Sequence, residues 1–177
     1  MVRGMGVRSV ALALAMAIGA SATGAHAGEP ALPVKVDEIH KEFNKIARSM
    51  GFDLRASRKK CGAGVQKVCQ YEIAKNAALI AIAKPDNPNA EEVTAINSFE
   101  YKDYEGATNS IIVYSILLRL LSPGEKKEEY GDAVLSLLQR FKESEKGQIE
   151  FGSVSYKLAK MEGMGIWFIA SPIAKVD

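Results

Sequence analysis

The chain has 177 residues, 47% of them hydrophobic and 25% charged, and a formal net charge of +2. That near-neutral balance argues against a nucleic-acid binder, which usually presents a strongly basic surface. Two histidines and two cysteines leave too few side chains for a zinc site built on several histidines, and no cofactor or metal is expected.

Residues 1–27 read as a secretory signal peptide. Arg3 and Arg8 give a positive start, and no acid precedes Glu29. Val10 to Ala20 is an unbroken run of Ala, Leu, Met, Ile, Val and Gly. Such a run is too short to span roughly 30 Å of hydrocarbon at about 1.5 Å per residue. Ala25 and Ala27 supply the small side chains that signal peptidase needs at positions −3 and −1, so the expected cut precedes Gly28. The cleavage site has no cysteine to carry a lipid. The expected location is the periplasm or the exterior. Without the leader the charge is zero, distributed as +5 over residues 28–84 and −5 over residues 85–177.

Residues 28–35 contain two prolines and are expected to be an extended, loosely held lead-in to a single α+β domain over 36–177. Val36, Ile39, Phe43, Ile46, Ala47 and Met50 fall at helical spacing, and Gly51 sits in the usual stop position. The stretch 53–60 is polar and basic. Cys61 and Cys69 are expected to pair once exported into an oxidising compartment. Closing that short loop contributes about 2.5 kcal/mol on a chain-entropy estimate. Gly62 and Gly64 ease the return of the backbone.

Cys69, Tyr71 and Ile73 alternate with polar neighbours, as a half-buried strand does. Ala78 to Ala83 is apolar on both faces, which suits the middle of a sheet. A breaker, Pro85-Asp86-Asn87-Pro88-Asn89, separates it from a third expected strand, Glu92 to Tyr101. Asp103 to Leu121 reads as a deeply buried helix, apolar nearly all round from Ile111. Ser122-Pro123-Gly124-Glu125 has the pattern of a capping box with proline in the first helical position, and predicts that a new helix opens there. That helix has Tyr130, Val134, Leu137, Leu138 and Phe141 on one face and is expected to end near Lys146-Gly147. Alternation over Ile149–Phe151 and Val154–Leu158 and a final run Met164–Ser171 apolar on both faces, with turns at Gly152-Ser153 and Glu162-Gly163, predict a three-stranded meander. The expected order is α-βββ-αα-βββ, an α+β domain with an antiparallel sheet and about three helices packed against it. Each half reads as a helix followed by three strands, without residue-level similarity.

Few side chains carry chemistry. His40 is the one histidine after the leader, and a place on the surface of the first helix accounts for it. The carboxylate pairs Glu91–Glu92, Glu128–Glu129 and Glu143–Glu145 sit in charged stretches, not in the apolar settings that raise a catalytic pKa. Gly62-Ala63-Gly64 lacks the strand–loop–helix setting of a phosphate loop. Arg55, Arg58, Lys59 and Lys60 form a basic cluster suited to an anionic partner: a phospholipid head group, an acidic polysaccharide or an acidic protein face. On the last strand Trp167 and Ile169 share the face opposite Ile166, Phe168 and Ala170. If helices cover one side only, Trp167 and Ile169 are the candidate apolar partner face.

These features point to a small exported binding protein that acts through protein contacts in the envelope, with another envelope protein or a second copy as partner. Contact with a membrane surface is compatible with the basic cluster, whereas spanning is not expected. A carboxylate-dependent hydrolase or a carrier of a small apolar ligand is the alternative.

Overall fold

The computed structural model describes residues 30–74, 77–98 and 103–174. The leader, with Ala25, Ala27 and Gly28, lies outside the described residues, as does the end of the third expected strand. The elements in chain order are α1 (Ile39–Ser49), β1 (Ser57–Gly62), β2 (Lys67–Ala74), β3 (Ala77–Ala83), β4 (Glu92–Asn97), α2 (Tyr104–Leu121), α3 (Glu129–Ser144), β5 (Lys146–Phe151), β6 (Val154–Met161) and β7 (Gly165–Pro172). The seven strands form one sheet in the order β1-β2-β3-β4-β7-β6-β5. Every pairing is antiparallel. The α+β reading therefore holds, with its three helices and both three-strand groups, β2–β4 and β5–β7. The sheet also carries β1, which lies in the stretch read from sequence as merely polar and basic.

The two groups meet at the β4–β7 pair, and the strand order is symmetric about it. After β4 the chain leaves the sheet through α2 and α3, re-enters at the far edge as β5 and folds back to the centre. Two local rules shape the helices. α1 buries Ile39, Phe43 and Ala47 on one stripe, and Gly51 follows with φ +78°, the left-handed stop that glycine adopts without strain. α2 is capped by Asp103, whose carboxylate accepts from the Gly106 N–H at 2.8 Å. It then buries Val113, Tyr114, Ile116, Leu117, Leu118, Leu120 and Leu121.

All three helices lie on the same side of the sheet. Tyr71, Leu79, Ala95, Phe168, Leu158 and Gly147 are successive register partners across six strands. Each helix meets this row. The Tyr71 hydroxyl donates to the carbonyl of Val36 just before α1, and the His40 ring of α1 stacks on Tyr71 at 5.7 Å. Tyr114 of α2 stacks on Phe168 at 4.9 Å. α3 crosses Gly147 so closely that a Cβ there would lie 2.6 Å from the Leu137 carbonyl oxygen and 2.9 Å from the Phe141 nitrogen.

Two local expectations are corrected. Ser122 does not open a helix: it is the residue that ends α2, and α3 begins at Glu129. Gly124 has φ +101°, so the chain turns left-handed where the first turn of a helix would have to form. The Ser122 hydroxyl donates instead to the Phe151 carbonyl at 2.9 Å and meets the Tyr156 hydroxyl at 2.7 Å. The lead-in is also anchored, not loose. Leu32, Val34 and Val36 are buried, and the backbone pairs with Pro88 and Ala90 through Leu32 N–H, Ala90 N–H and Val36 N–H. Salt bridging between Lys67 and Asp37 at 3.0 Å ties the chain just beyond this region to β2.

The α3–β5 approach gives a direct test. Gly147→Ala is expected to destabilise the protein by about 2–3 kcal/mol through overpacking. Gly62→Ala, whose Cβ meets nothing within 4 Å, is expected to stay within about 0.5 kcal/mol. Urea unfolding of the two variants beside the parent measures both.

Candidate functional site

Strand alternation sends every second residue to the side of the sheet away from the helices. Two residue rows there form the centre of the face. In one, Gln70, Ile80, Thr94, Ile169, Lys157 and Gln148 are successive partners. In the other, Glu72, Ala78, Ile96, Trp167, Ala159 and Lys146 follow each other. Ile82 lies beside them on β3, paired with Val68 and Glu92. The three helices lie on the other side of the sheet. Ile80, Ile82, Ile96, Trp167 and Ile169 are half-buried, and Thr94 in their midst is 5% exposed. The Trp167 indole N–H is buried there without a hydrogen-bond partner among the described residues.

Sequence reasoning named Trp167 and Ile169 for this face, and the structure puts both on it. It missed Ile80, Ile82 and Ile96, although the two-sided apolarity of 78–83 was the signal. Charges border the apolar centre. Lys60 of β1 pairs with Gln70, so the first row begins at Lys60 and reaches Lys157 on its other side. Both lysines are exposed. They stand about 24 Å apart, five strand spacings of roughly 4.8 Å. Glu72 is engaged by Lys59.

The basic cluster is not brought together as one patch. Arg55 turns back to the carbonyls of Phe52 and Leu54 at 2.9 and 2.8 Å and pairs with Asp53 at 3.3 Å. Arg58 partners Tyr71 in register and so belongs to the helix side. A bulge follows between Arg58 and Lys60. Lys59 and Lys60 belong to the open face, where Lys59 is held by Glu72. Cys61 and Cys69 form the disulfide, as register partners on β1 and β2 with Cα atoms 4.1 Å apart.

On the helix side the polar groups mostly hold structure. Ser122, Tyr156, Tyr130 and the Phe151 carbonyl form one buried hydrogen-bonded group that fastens the end of α2 to the β5–β6 hairpin. Burial pushes the Tyr156 phenol above its ordinary range, and likewise Tyr114, which accepts from Asn97 Nδ2 at 3.0 Å. Tyr71 is pushed up to about 12, first by burial and then by the Asp37 carboxylate. The carboxylate pairs singled out from sequence are dispersed. Glu91 pairs with Lys84 and Glu129 with Lys126. Glu145 pairs with Lys160, and Glu92 accepts from Thr94 Oγ1 at 2.9 Å. Among the described residues no Asp or Glu is buried, and no three His, Cys, Asp or Glu side chains are grouped to hold a metal ion. No helix among them is long and apolar enough to cross a membrane. Between α2, α3 and the ends of β6 and β7 lies an apolar cavity of about 110 Å³.

The chain matches no protein-family model, no curated protein and no solved structure. The site must therefore be read from its own chemistry.

His40 offers one pH-dependent handle. Desolvation at the α1–sheet contact holds its pKa below the usual 6.5, and the positive charges of Arg58 and Lys41 act in the same direction. A folded-state pKa below the unfolded value means that the unfolded chain binds the proton more readily once the pH drops below about 6.5. Stability from this group is therefore full above that pH and is lost as pH falls toward the folded pKa. The expected outcome is a decline in urea stability between pH 7.5 and pH 5 that flattens in His40→Gln. In Arg58→Ala the His40 pKa, read by NMR titration, is expected to rise.

Proposed function

We propose that the protein is exported with residues 1–27 removed, and that it works as a binding module whose open sheet face docks a partner protein. The single observation that supports this is the one-sided sheet. Its helix-free face carries Ile80, Ile82, Ile96, Trp167 and Ile169 between flanking lysines. Protein interfaces combine an apolar, aromatic-containing centre with a polar rim in this way.

The charges favour a partner different from the protein itself. In a face-to-face pair whose two-fold axis runs along this row, Lys60 and Lys157 each meet their own counterpart, which opposes that form of self-docking. A segment with an apolar centre and carboxylates about 24 Å apart, matched to five strand spacings, would meet both lysines. The disulfide supports maturation in an oxidising compartment. An enzyme reading is not favoured, because a carboxylate general acid needs an apolar setting and every described Asp and Glu retains solvent.

A photo-crosslinking side chain at position 169, introduced in the producing cells, tests the reading. The expected result is an adduct with one partner whose linked peptide is apolar and flanked by Asp or Glu. The double substitution Lys60→Glu and Lys157→Glu is expected to reduce its yield at least tenfold without moving the urea midpoint. An adduct formed only with a second copy, no adduct at all, or a yield indifferent to charge reversal would overturn it. For export, the mature N-terminus is expected at Gly28. An intact leader in the cells would refute that half of the proposal.

A further inference from the structure

On the opposite side of the sheet from the docking face, we infer that the cavity between α2 and α3 is a binding site for a single aromatic ring carried by a small molecule. Its walls are Tyr114 and Ile111 of α2, Leu138 and Phe141 of α3, and Leu158 and Ile166 of the sheet. Ala107 and Ser110 also line it. The polar atoms nearby are already engaged. Ser110 Oγ donates to the Gly106 carbonyl at 2.8 Å, and the Tyr114 hydroxyl accepts from Asn97. The space is half open to solvent, but its almost wholly apolar walls offer water no partner of their own, so the site favours an apolar occupant.

Size and shape narrow the class. A volume of about 110 Å³ approaches the roughly 150 Å³ of dry apolar cavities that take up benzene or xenon. It is well below the roughly 300 Å³ at which pockets for larger ligands begin. Tyr114 already stacks on Phe168, and Phe141 contributes a second ring from the other helix. Rings on two walls suit an aromatic guest through stacked or edge contacts. Ile111 beside it is 42% exposed, and Tyr104 one turn before Ala107 and Thr108 is 80% exposed. The site is thus reachable from solvent along the first half of α2. The cavity exists because α2 presents Ala107 and Ser110 where its later turns present Leu117 and Leu121. Interiors are otherwise packed to crystal-like density.

The test is titration of the intact protein with toluene and, separately, with 1-hexanol, followed by methyl NMR. Toluene is expected to shift Ile111, Leu138, Leu158 and Ile166 saturably, with at least threefold tighter binding than 1-hexanol. Ala107→Leu is expected to fill the space and abolish the shifts. Leu138→Phe, which fills it from the other helix, gives the same readout should the first variant fold poorly. Absence of saturable shifts in the parent, equal or tighter binding of 1-hexanol, or unchanged toluene binding in a folded filled variant would overturn the inference.

Discussion

The antiparallel junction of β4 with β7 is the constraint on which the rest of the molecule depends. Each three-strand group ends on it, so without it β4 and β7 would each become a bare edge. The apolar pattern alone does not fix its register. β7 is apolar on both sides, and a slip of one residue would exchange Phe168 and Ala170 for Trp167 and Ile169 on the helix side. Side-chain size breaks the tie. Ala95 and Ala170 leave room for Tyr114 to lie on Phe168 at 4.9 Å, whereas Trp167 or Ile169 in those places would hold α2 away from the sheet. Backbone contact breaks it as well. A Cβ on Gly165 would come within 2.2 Å of the Asn97 carbonyl oxygen, so the close start of this strand pair admits glycine and little else. At φ +91° that glycine is also in a conformation other residues rarely adopt.

From that register the two faces of the sheet acquire different fates. On β7, Phe168 and Ala170 meet the helices, while Trp167 and Ile169 are turned outward beside Ile80, Ile82 and Ile96. Isoleucine and tryptophan on an uncovered sheet are costly to leave in water, at roughly 25 cal/mol per Å² of apolar surface. Their mutual packing reduces that cost, as the near-complete burial of Thr94 among them attests. The unpaired Trp167 N–H points the same way, since burying a donor without a partner disfavours the folded state by about 1–3 kcal/mol.

Much of this architecture is legible in the sequence, for reasons specific to each element. α1 announces itself through helical spacing of large apolar residues, α2 through a long run that is apolar nearly all round, β6 through alternation and β7 through a short run apolar on both faces. β1 does not, because an edge strand whose residues are all exposed has no buried set to produce a period. Its existence is imposed from outside, by the ladder to β2 and the Cys61–Cys69 bond. The short spacing of the cysteines was the usable clue to a hairpin. Ser122 misleads because four residues match a helix start while the left-handed Gly124 between them rules it out. The lead-in hides a strand-like alternation of Leu32, Val34 and Val36 behind two prolines. The open face was half legible, since Trp167 and Ile169 advertise it, but its extent depends on which strand lies beside β7. The cavity was not legible at all, because it arises where two helices and two strands distant in sequence converge.

The same pairing information separates the charges of the edge strand from those of the open face. Read as a string, Arg55, Arg58, Lys59 and Lys60 look like one anion-binding patch. Folded, they diverge: Arg55 is occupied by its own loop, Arg58 belongs to the helix side, and Lys59 is held by Glu72. Charged side chains along an exposed edge strand have a simpler use, which is to discourage another strand from pairing with it. What remains is Lys60, and its significance comes from sharing a row with Ile80, Ile169 and Lys157. On the proposed reading, the two cations that flank Ile80 and Ile169 in this row define both a length and a sign for whatever lies across it, which an edge with its charges dispersed does not.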